Sequence, residues 1–523
     1  MRKLSANDQQ SISSFSSGLS AAILLIVLIS LVSFIVLKGS AYFWPVQVYG
    51  VTTYDADYSH IDEGSDHALD SARRAFVPSA LDIDEFNEAL ANKLSAQFAG
   101  SNLPMPRIVV EKVDAIYQIN LYSGAIQYGN FQQISTPDSE RYQLDELNNV
   151  VADVAIFQNE LRDIQNNYLS ILHRDIAQLN QSDVSEQAPA RLKELEQFKY
   201  WQQKADVLSQ KIASYHLVFI DASGQPFDIL VKDIRLLFQP NMMNLFDKVS
   251  YSGKKIIEFV SDSPKQASTS GGVFPALFGT VVMVLMMAVI VAPFGAMAAI
   301  YLHEYAPNNM TTSIIRICVS NMAGVPSVVY GVFGLGFFVY TLGGSIDTLL
   351  FSDALPSPTF GTPGLFWAAL TMALLTLPVV IVSTEEGLRR VPEGLRAGSY
   401  ALGATKIETI WKTVLPVASP GIMTGVILAI ARAAGEVAPL ILVGAVKFAP
   451  SLPVDAEFPF VHLERQFMHL GVFIYDGAFH NQTNTQGSSM MFASCMLLLL
   501  IVFILNLFAI IVRNKLRARY VRM

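Results

Sequence analysis

Charge is the first thing this sequence is short of. Lys, Arg, Asp and Glu make up 15% of its 523 residues, against 52% hydrophobic. A soluble domain carries nearer a quarter charged residues, so an ordinary soluble enzyme is excluded, although the length would suit about three soluble domains. Cysteine is almost absent. Cys318 and Cys495 both lie in apolar runs and read as small packing hydrophobes rather than disulfide partners. Residues 40–270 hold no cysteine and must be stable without disulfides. No G-x-x-x-x-G-K-[ST] phosphate loop occurs. Gly398 to Gly403 is followed by Ala404-Thr405 rather than Lys-Ser/Thr, so ATP hydrolysis by this chain is not expected, and neither is a cofactor. No His, Cys, Asp and Glu cluster has metal-ligand spacing; His462 and His469 stand apart and read as surface residues outside the membrane. The net charge of −8 gives no sign of nucleic-acid binding.

What the sequence has in quantity is long apolar runs. The first, Leu19 to Leu37, is uncharged and about one bilayer thick. Lys38-Gly39-Ser40-Ala41-Tyr42-Phe43-Trp44 follows, with aromatic residues suited to an interface and no small-residue cleavage site. The run therefore reads as an uncleaved helix at 19–38 behind a polar segment, 1–18. Five more follow at about Phe274–Leu302, Ile315–Tyr340, Leu365–Val382, Pro420–Val443 and Met490–Val512. Five Lys/Arg lie in the stretch 384–419 and five in the tail after Val512; the stretch 341–364 has none. The positive-inside rule then puts both termini, the 384–419 loop and the basic tail at 514–523 in the cytoplasm. Six crossings satisfy this, with 39–270 outside, in the periplasm of a two-membrane bacterium. Pro293 and Pro326 read as kinks inside helices. Gly331, Gly334, Gly336 and the pair Gly421-x-x-x-Gly425 read as close-packing positions.

The insert at 39–270 is polar. Arg107 to Tyr128 alternates β-branched and aromatic residues and predicts strands. Leu147, Val151, Val154, Leu161, Tyr168, Leu172, Ile176 and Leu179 recur at helical spacing, and Leu192 to Ile212 is a second helical stretch. A helical hairpin over about 140–213 is predicted, followed by a β-hairpin through the turn Ala222-Ser223-Gly224-Gln225. The fold class is thus an all-α polytopic membrane protein of six transmembrane helices, with an α/β insert.

The most informative stretch is Thr384 to Leu442. Its first part is amphipathic and basic. Gly403 breaks it into two short helices, with Leu395, Tyr400, Ile407, Ile410 and Trp411 placed to form an apolar face. The charges Glu385, Glu386, Arg389 and Arg390 read as a solvated turn. The stretch resembles the loop of bacterial ABC importer permeases, E-A-A-x-x-x-G followed by I-x-L-P. Ala397, Gly398 and Ser399 occupy the E-A-A positions, Gly403 the glycine, and Thr413-Val414-Leu415-Pro416 the ending; the glutamate is replaced by Ala397. PVVIVSTEEGLRRVPEGLRAGSYALGATK, IARAAGEVAPL, GGVFPALFGT and GVPSVVYGVFG narrow the resemblance to A-type phosphate permeases, over roughly Gly271 to Met523. It implies a permease domain at 271–513 with a type I importer fold. It also implies that Ala397, Gly398, Ser399, Gly403, Leu415 and Pro416 belong to the loop that docks on an ATPase. The implied partners are a homologous second permease subunit, a pair of ATPase subunits and a periplasmic phosphate-binding protein, in inner-membrane lipid.

Arg432 and Glu436 are charges within a spanning run, where each is expensive. Their i, i+4 spacing puts them on one helix face. They read either as an ion pair locking helix packing or as a substrate site. In the second reading Arg432 offers a planar cation to a passing phosphate and Glu436 keeps the binding weak enough for release. The resemblance implies the second. Alternative readings are a permease for molybdate or sulfate, a secondary transporter, and a signalling or scaffold protein with a periplasmic sensor domain.

Overall fold

The computed structural model describes residues 6–54, 72–79, 83–98, 107–123, 125–136, 140–141, 147–181, 189–264, 271–354, 356–455, 460–480 and 485–521. The break expected between Asn180 and Pro189 lies largely outside them. The chain divides into two compact units, Met1–Phe43 with Lys254–Met523, and Trp44–Gly253.

The smaller unit is α/β. Strands β1 (Gln47–Tyr54), β2 (Ala72–Ser79) and β3 (Arg107–Lys112) form an antiparallel sheet in the order β2-β1-β3, and helix α2 (Ile83–Phe98) lies between β2 and β3 in sequence. Strands β4 (Tyr117–Leu121), β5 (Ile126–Ser135), β6 (Glu140–Arg141), β7 (His216–Ile220), β8 (Pro226–Leu230) and β9 (Ile234–Phe238) build a second sheet, ordered β8-β7-β5-β4-β9 with β6 on β5. Between β6 and β7 come α3 (Leu147–Asp163), a π turn (Ile164–Leu169), α4 (Ser170–Gln181) and α5 (Pro189–Ala213). Val150 and Val154 of α3 and Ile212 of α5 share one buried cluster with Ile119, Leu217 and Phe219 of the sheet. The apolar stripe of the helical hairpin therefore has the sheet as its partner. The β-hairpin of β7 and β8 turns at Gly224, φ +82°. Strands β1 and β2 lie outside the stretch predicted as strands, although β1 is rich in Val, Tyr and Thr.

The larger unit holds six helices long and apolar enough to cross a membrane, among the described residues: Phe15–Ala41, Phe274–Tyr305, Ser327–Leu350, Leu365–Arg389, Lys406–Gly435 and Ser489–Lys515. The first lies within α1 (Ala6–Ala41). Helix α6 (Leu245–Ser261) runs across the boundary between the units at Gly253–Lys254, and α7 (Phe274–Ile300) forms the second span, extended by a π turn at Tyr301–Tyr305. Pro293 does lie inside it.

The third run needs correction. Ile315–Tyr340 is two helices: α8 (Met310–Met322), then α9 (Ser327–Phe333), which continues through the π segment Gly334–Gly343 into α10 (Gly344–Leu350). Pro326 is not a kink. It caps α9 in an extended conformation, ψ 135°, because its ring bars the preceding residues from continuing the helix. The Tyr330 hydroxyl reaches back across this break to donate to the Met322 carbonyl at 2.8 Å.

The fourth span is α11 (Leu365–Arg389). After α12 (Glu393–Ala401) and α13 (Lys406–Thr409), a π turn (Ile410–Val414) leads into α14 (Leu415–Gly435), which is followed by α15 (Ala438–Val443). The fifth span thus starts well before Pro420 and stops at Gly435 instead of reaching Val443. The two-residue strands β10 (Ala445–Val446) and β11 (Phe467–Met468) pair in parallel, and α16 (Leu470–His480) and α17 (Thr485–Val521) complete the chain.

Side chains of α7, α11 and α14 meet in one core that includes Met283, Met287, Met372, Ala429 and Ala433. The expected small-residue contact is there: a Cβ on Gly421 would stand 2.5 Å from the Gly387 Cα. Helices α11 and α14 therefore touch backbone to backbone, the way membrane helices gain dispersion energy where lipid offers no hydrophobic drive.

Candidate functional site

The loop from Thr384 to Pro416 is built from local signals. Thr405 caps α13: its hydroxyl accepts from the Glu408 N–H while the Glu408 carboxylate accepts from the Thr405 N–H, a complete capping box. Gly403 has φ +85°, a left-handed conformation that favours glycine, and it turns the chain between α12 and α13. The Ser399 and Thr409 hydroxyls are 2.9 Å apart and pin the two helices together.

Arg396 fixes this loop to the membrane helices. Its guanidinium donates to Glu304 Oε1 at 3.0 Å, to the Leu388 carbonyl at 3.1 Å and to the Val391 carbonyl at 3.0 Å. Lys406 adds a bond to the Glu304 carbonyl at 2.5 Å and lies 4.6 Å from the Tyr305 ring centre. The π turn ending the second span is thus held from both helices of the loop. Neither Glu304 nor the anchoring role of Arg396 was visible in the sequence, since the partners are 92 residues apart.

The apolar face differs from the expected one by two residues. Leu395, Tyr400, Ile407 and Trp411 are exposed, and Leu402 is 91% exposed, but Ile410 is buried. Leu402 caps the C-terminus of α12 just before the turn at Gly403, and Ile410 packs inward where α13 passes into the π turn. Ala397 and Gly398 are exposed and Ser399 is half-buried; Leu415 and Pro416, also half-buried, open α14. Glu386, Arg389 and Arg390 are exposed, as a solvated turn requires. Glu385 is not. Helix α11 runs past it, and its carboxylate, 12% exposed, faces Arg316 of α8 at 3.6 Å.

Arg432 and Glu436 come together, Nε to Oε1 3.5 Å, with side chains 32% and 24% exposed. They do not share a helix. Helix α14 ends at Gly435 and Glu436 is extended, φ −82°, ψ 131°. The pair therefore brackets a break in an otherwise apolar run. Arg432 lies in the last turn, where the unpaired carbonyls favour a cation, and its charge also reaches Tyr330 of α9. Interrupted backbone at membrane depth persists where protein or a watery cavity surrounds it. A half-exposed arginine there can meet an anion.

Both histidines expected at the surface are buried. His462 sits between Asp455 at 3.0 Å and Glu464 at 3.2 Å. His469 is wholly buried beside β11; its Nδ1 accepts from the Gly471 N–H at 3.1 Å, while Nε2 has no hydrogen-bond partner among the described residues. Burial pushes its pKa from 6.5 down to about 4. The unfolded chain then binds a proton in this range that the folded chain refuses. The stabilisation from neutral His469 is complete above pH 6.5 and is lost as the pH falls toward 4, on the order of 3 kcal/mol in all. In detergent, the fall in Tm from pH 7.5 to pH 5 is expected to shrink in His469→Leu; an unchanged fall would refute this.

The model of the family described as binding-protein-dependent transport system inner membrane component matches residues 291–518. The phosphate transport system permease protein PstA of Yersinia pestis is 31% identical over 263 residues, 50% of this chain and 79% of that protein. The chain belongs to the binding-protein-dependent transport permeases. PstA 1 of Mycobacterium tuberculosis is 43% identical over 176 residues, 34% of this chain and 52% of that protein. The chain spans about half the length of the mycobacterial relatives it matches. Among solved structures, an inward-facing MetNI methionine ABC transporter aligns over 46% of this permease and 94% of its own chain at 18% identity, TM-score 0.34; so loose an overlay fixes no residue here. The resemblance read from the motifs is thus matched by relatives carrying the phosphate permease name. The smaller unit, Trp44–Gly253, lies outside the family match.

Proposed function

We propose that this chain is a permease subunit of an ATP-driven importer that moves inorganic phosphate across the bacterial inner membrane. It forms the path with a homologous second permease subunit and takes phosphate from a periplasmic binding protein. It is driven by a separate pair of ATPase subunits docked on the 384–419 loop. Both termini are cytoplasmic and 39–270 is periplasmic in this reading. The observation that carries it is the Arg432–Glu436 pair at the break after α14, in a chain whose relatives are named phosphate permeases. The guanidinium matches a tetrahedral oxyanion with paired donors. The carboxylate beside it competes for the same donors, so the anion leaves once the path opens. Leu402, Ile407 and Trp411 supply the exposed apolar contact for an ATPase cleft. Ala397, Gly398, Ser399 and Gly403 shape its small-residue side, and Leu415 and Pro416 pass the motion into α14.

The experiment is labelled-phosphate uptake in phosphate-starved cells lacking this chain. The intact chain is expected to restore uptake, with arsenate competing and sulfate not. Competition by sulfate, or no restoration, would overturn the substrate.

A further inference from the structure

Helix α6 is amphipathic in the sense opposite to that of a water-facing helix. At 3.6 residues per turn, Leu245, Phe246, Val249, Ile256, Ile257 and Val260 fall on one stripe about 120° wide. In a water-soluble domain such a stripe turns to the core. Most of it turns outward here: Phe246 is 83% exposed, Leu245 72% and Ile257 68%, while Val260, at the C-terminal end, packs against the buried cluster of Phe43 and Phe259. Tyr251, opposite the stripe, and Phe259, at its edge, are buried.

The level of this helix is set by its C-terminal half. Lys255 donates to the Tyr42 carbonyl at 2.5 Å and stands 4.3 Å from the Tyr42 ring centre. The Phe259 ring centre is 5.3 Å from that of Phe43 and 5.5 Å from that of Tyr42. The first spanning segment ends at Ala41. Residues 255–259 are therefore clamped to the two aromatic residues at which the chain leaves the bilayer, the depth where Tyr and Trp belts gather. Lys254, exposed outside the stripe, suits anionic headgroups.

We propose that α6 is an interfacial helix whose Leu245, Phe246, Val249, Ile256 and Ile257 face is seated in lipid at the boundary between headgroups and acyl chains. The occupant of this face is the bilayer, and the chain re-enters the transport unit along the membrane surface. The proposal rests on the membrane-spanning helices alone and does not depend on the substrate.

The test uses the full-length chain with its partner permease in phosphatidylethanolamine–phosphatidylglycerol vesicles. Cys318 and Cys495 are replaced by alanine, and single cysteines are placed by Phe246→Cys, Ile257→Cys and Lys254→Cys for spin labelling. The ratio of oxygen to nickel-chelate collisions is expected to be several-fold higher at 246 and 257 than at 254. Equal ratios dominated by nickel would put the face in water and overturn the proposal. Low collision with both reagents at 246 and 257 would mean that protein covers it, overturning the proposal equally. A cysteine-independent check is Phe246→Trp in the otherwise native chain. Brominated phosphatidylcholine is expected to quench the added emission, and an unquenched signal would overturn the proposal.

Discussion

Arg432→Gln is expected to cut labelled-phosphate uptake roughly hundredfold while the protein still reaches the membrane. A hydrogen bond to a charged group is worth about 1.5–3 kcal/mol, and the upper end corresponds to about two decades. The substitution removes the only full positive charge at the end of α14 and leaves Glu436 facing the break alone. An approaching anion then meets a carboxylate with no cation beside it. Arg432→Lys keeps the charge but loses the planar fork, so an intermediate rate is expected. Glu436→Gln acts in the opposite sense: Arg432 is left uncompensated, the anion is held longer, and maximal rate falls more than apparent affinity. Normal uptake by Arg432→Gln at wild-type membrane levels would show that the pair is only a packing lock.

The second large effect is expected at Arg396. Its side chain is 17% exposed and that of Glu304 10%. Removing one member of a pair so enclosed typically destabilises by roughly 3–5 kcal/mol, because the other charge stays behind without its partner. Arg396→Glu is expected to abolish uptake while the assembled complex keeps its basal ATP hydrolysis. Adding Glu304→Arg is expected to recover a large part of transport, because the swapped pair can rebuild the bridge from loop to second span. If the double variant is as inactive as the single one, the bridge does not carry the motion, and Arg396 acts through its bonds to the Leu388 and Val391 carbonyls alone.

The sequence revealed the six apolar segments that the described residues fold into helices long enough to cross a membrane, and missed where two of the runs break. Hydropathy averages over a window: the first break is apolar throughout, and the second carries a single charge, Glu436, in an otherwise apolar run. Gly324-Val325-Pro326 and Glu436-Val437 interrupt helices without interrupting the hydrophobic run. Pro326 carries the needed signal, since a proline disfavours helix in the residue before it, but inside an apolar run that continues past it the same residue also suits a kink. The α/β character of the insert was legible from β4, β5, β7, β8 and the helical hairpin, whose alternation and periodicity are strong. At the candidate site, local features were legible: Gly403, the small residues at 397–399 and the i, i+4 charges. Long-range ones were not. The Glu304–Arg396 bridge, the Glu385–Arg316 pair and the burial of His469 all depend on partners far along the chain. A single sequence carries no mark of them. Leu402 stands at the end of α12, beside the left-handed turn at Gly403, where helical spacing no longer says which way a side chain faces.

The clamp of Tyr42 and Phe43 on Lys255 and Phe259 also bears on how this gene can change. Within the transport unit, the two points at which the polypeptide departs and returns are held together by a side chain's reach. Closing a loop costs entropy that grows only with the logarithm of its length. By this entropy alone, what lies between Phe43 and the start of α6 at Leu245 can differ widely in length at little cost to the spanning helices, whether a folded domain, a reporter or a short linker. In those terms a domain gained, lost or traded there leaves the register of the spanning helices fixed by the contacts of Tyr42 and Phe43 with Lys255 and Phe259.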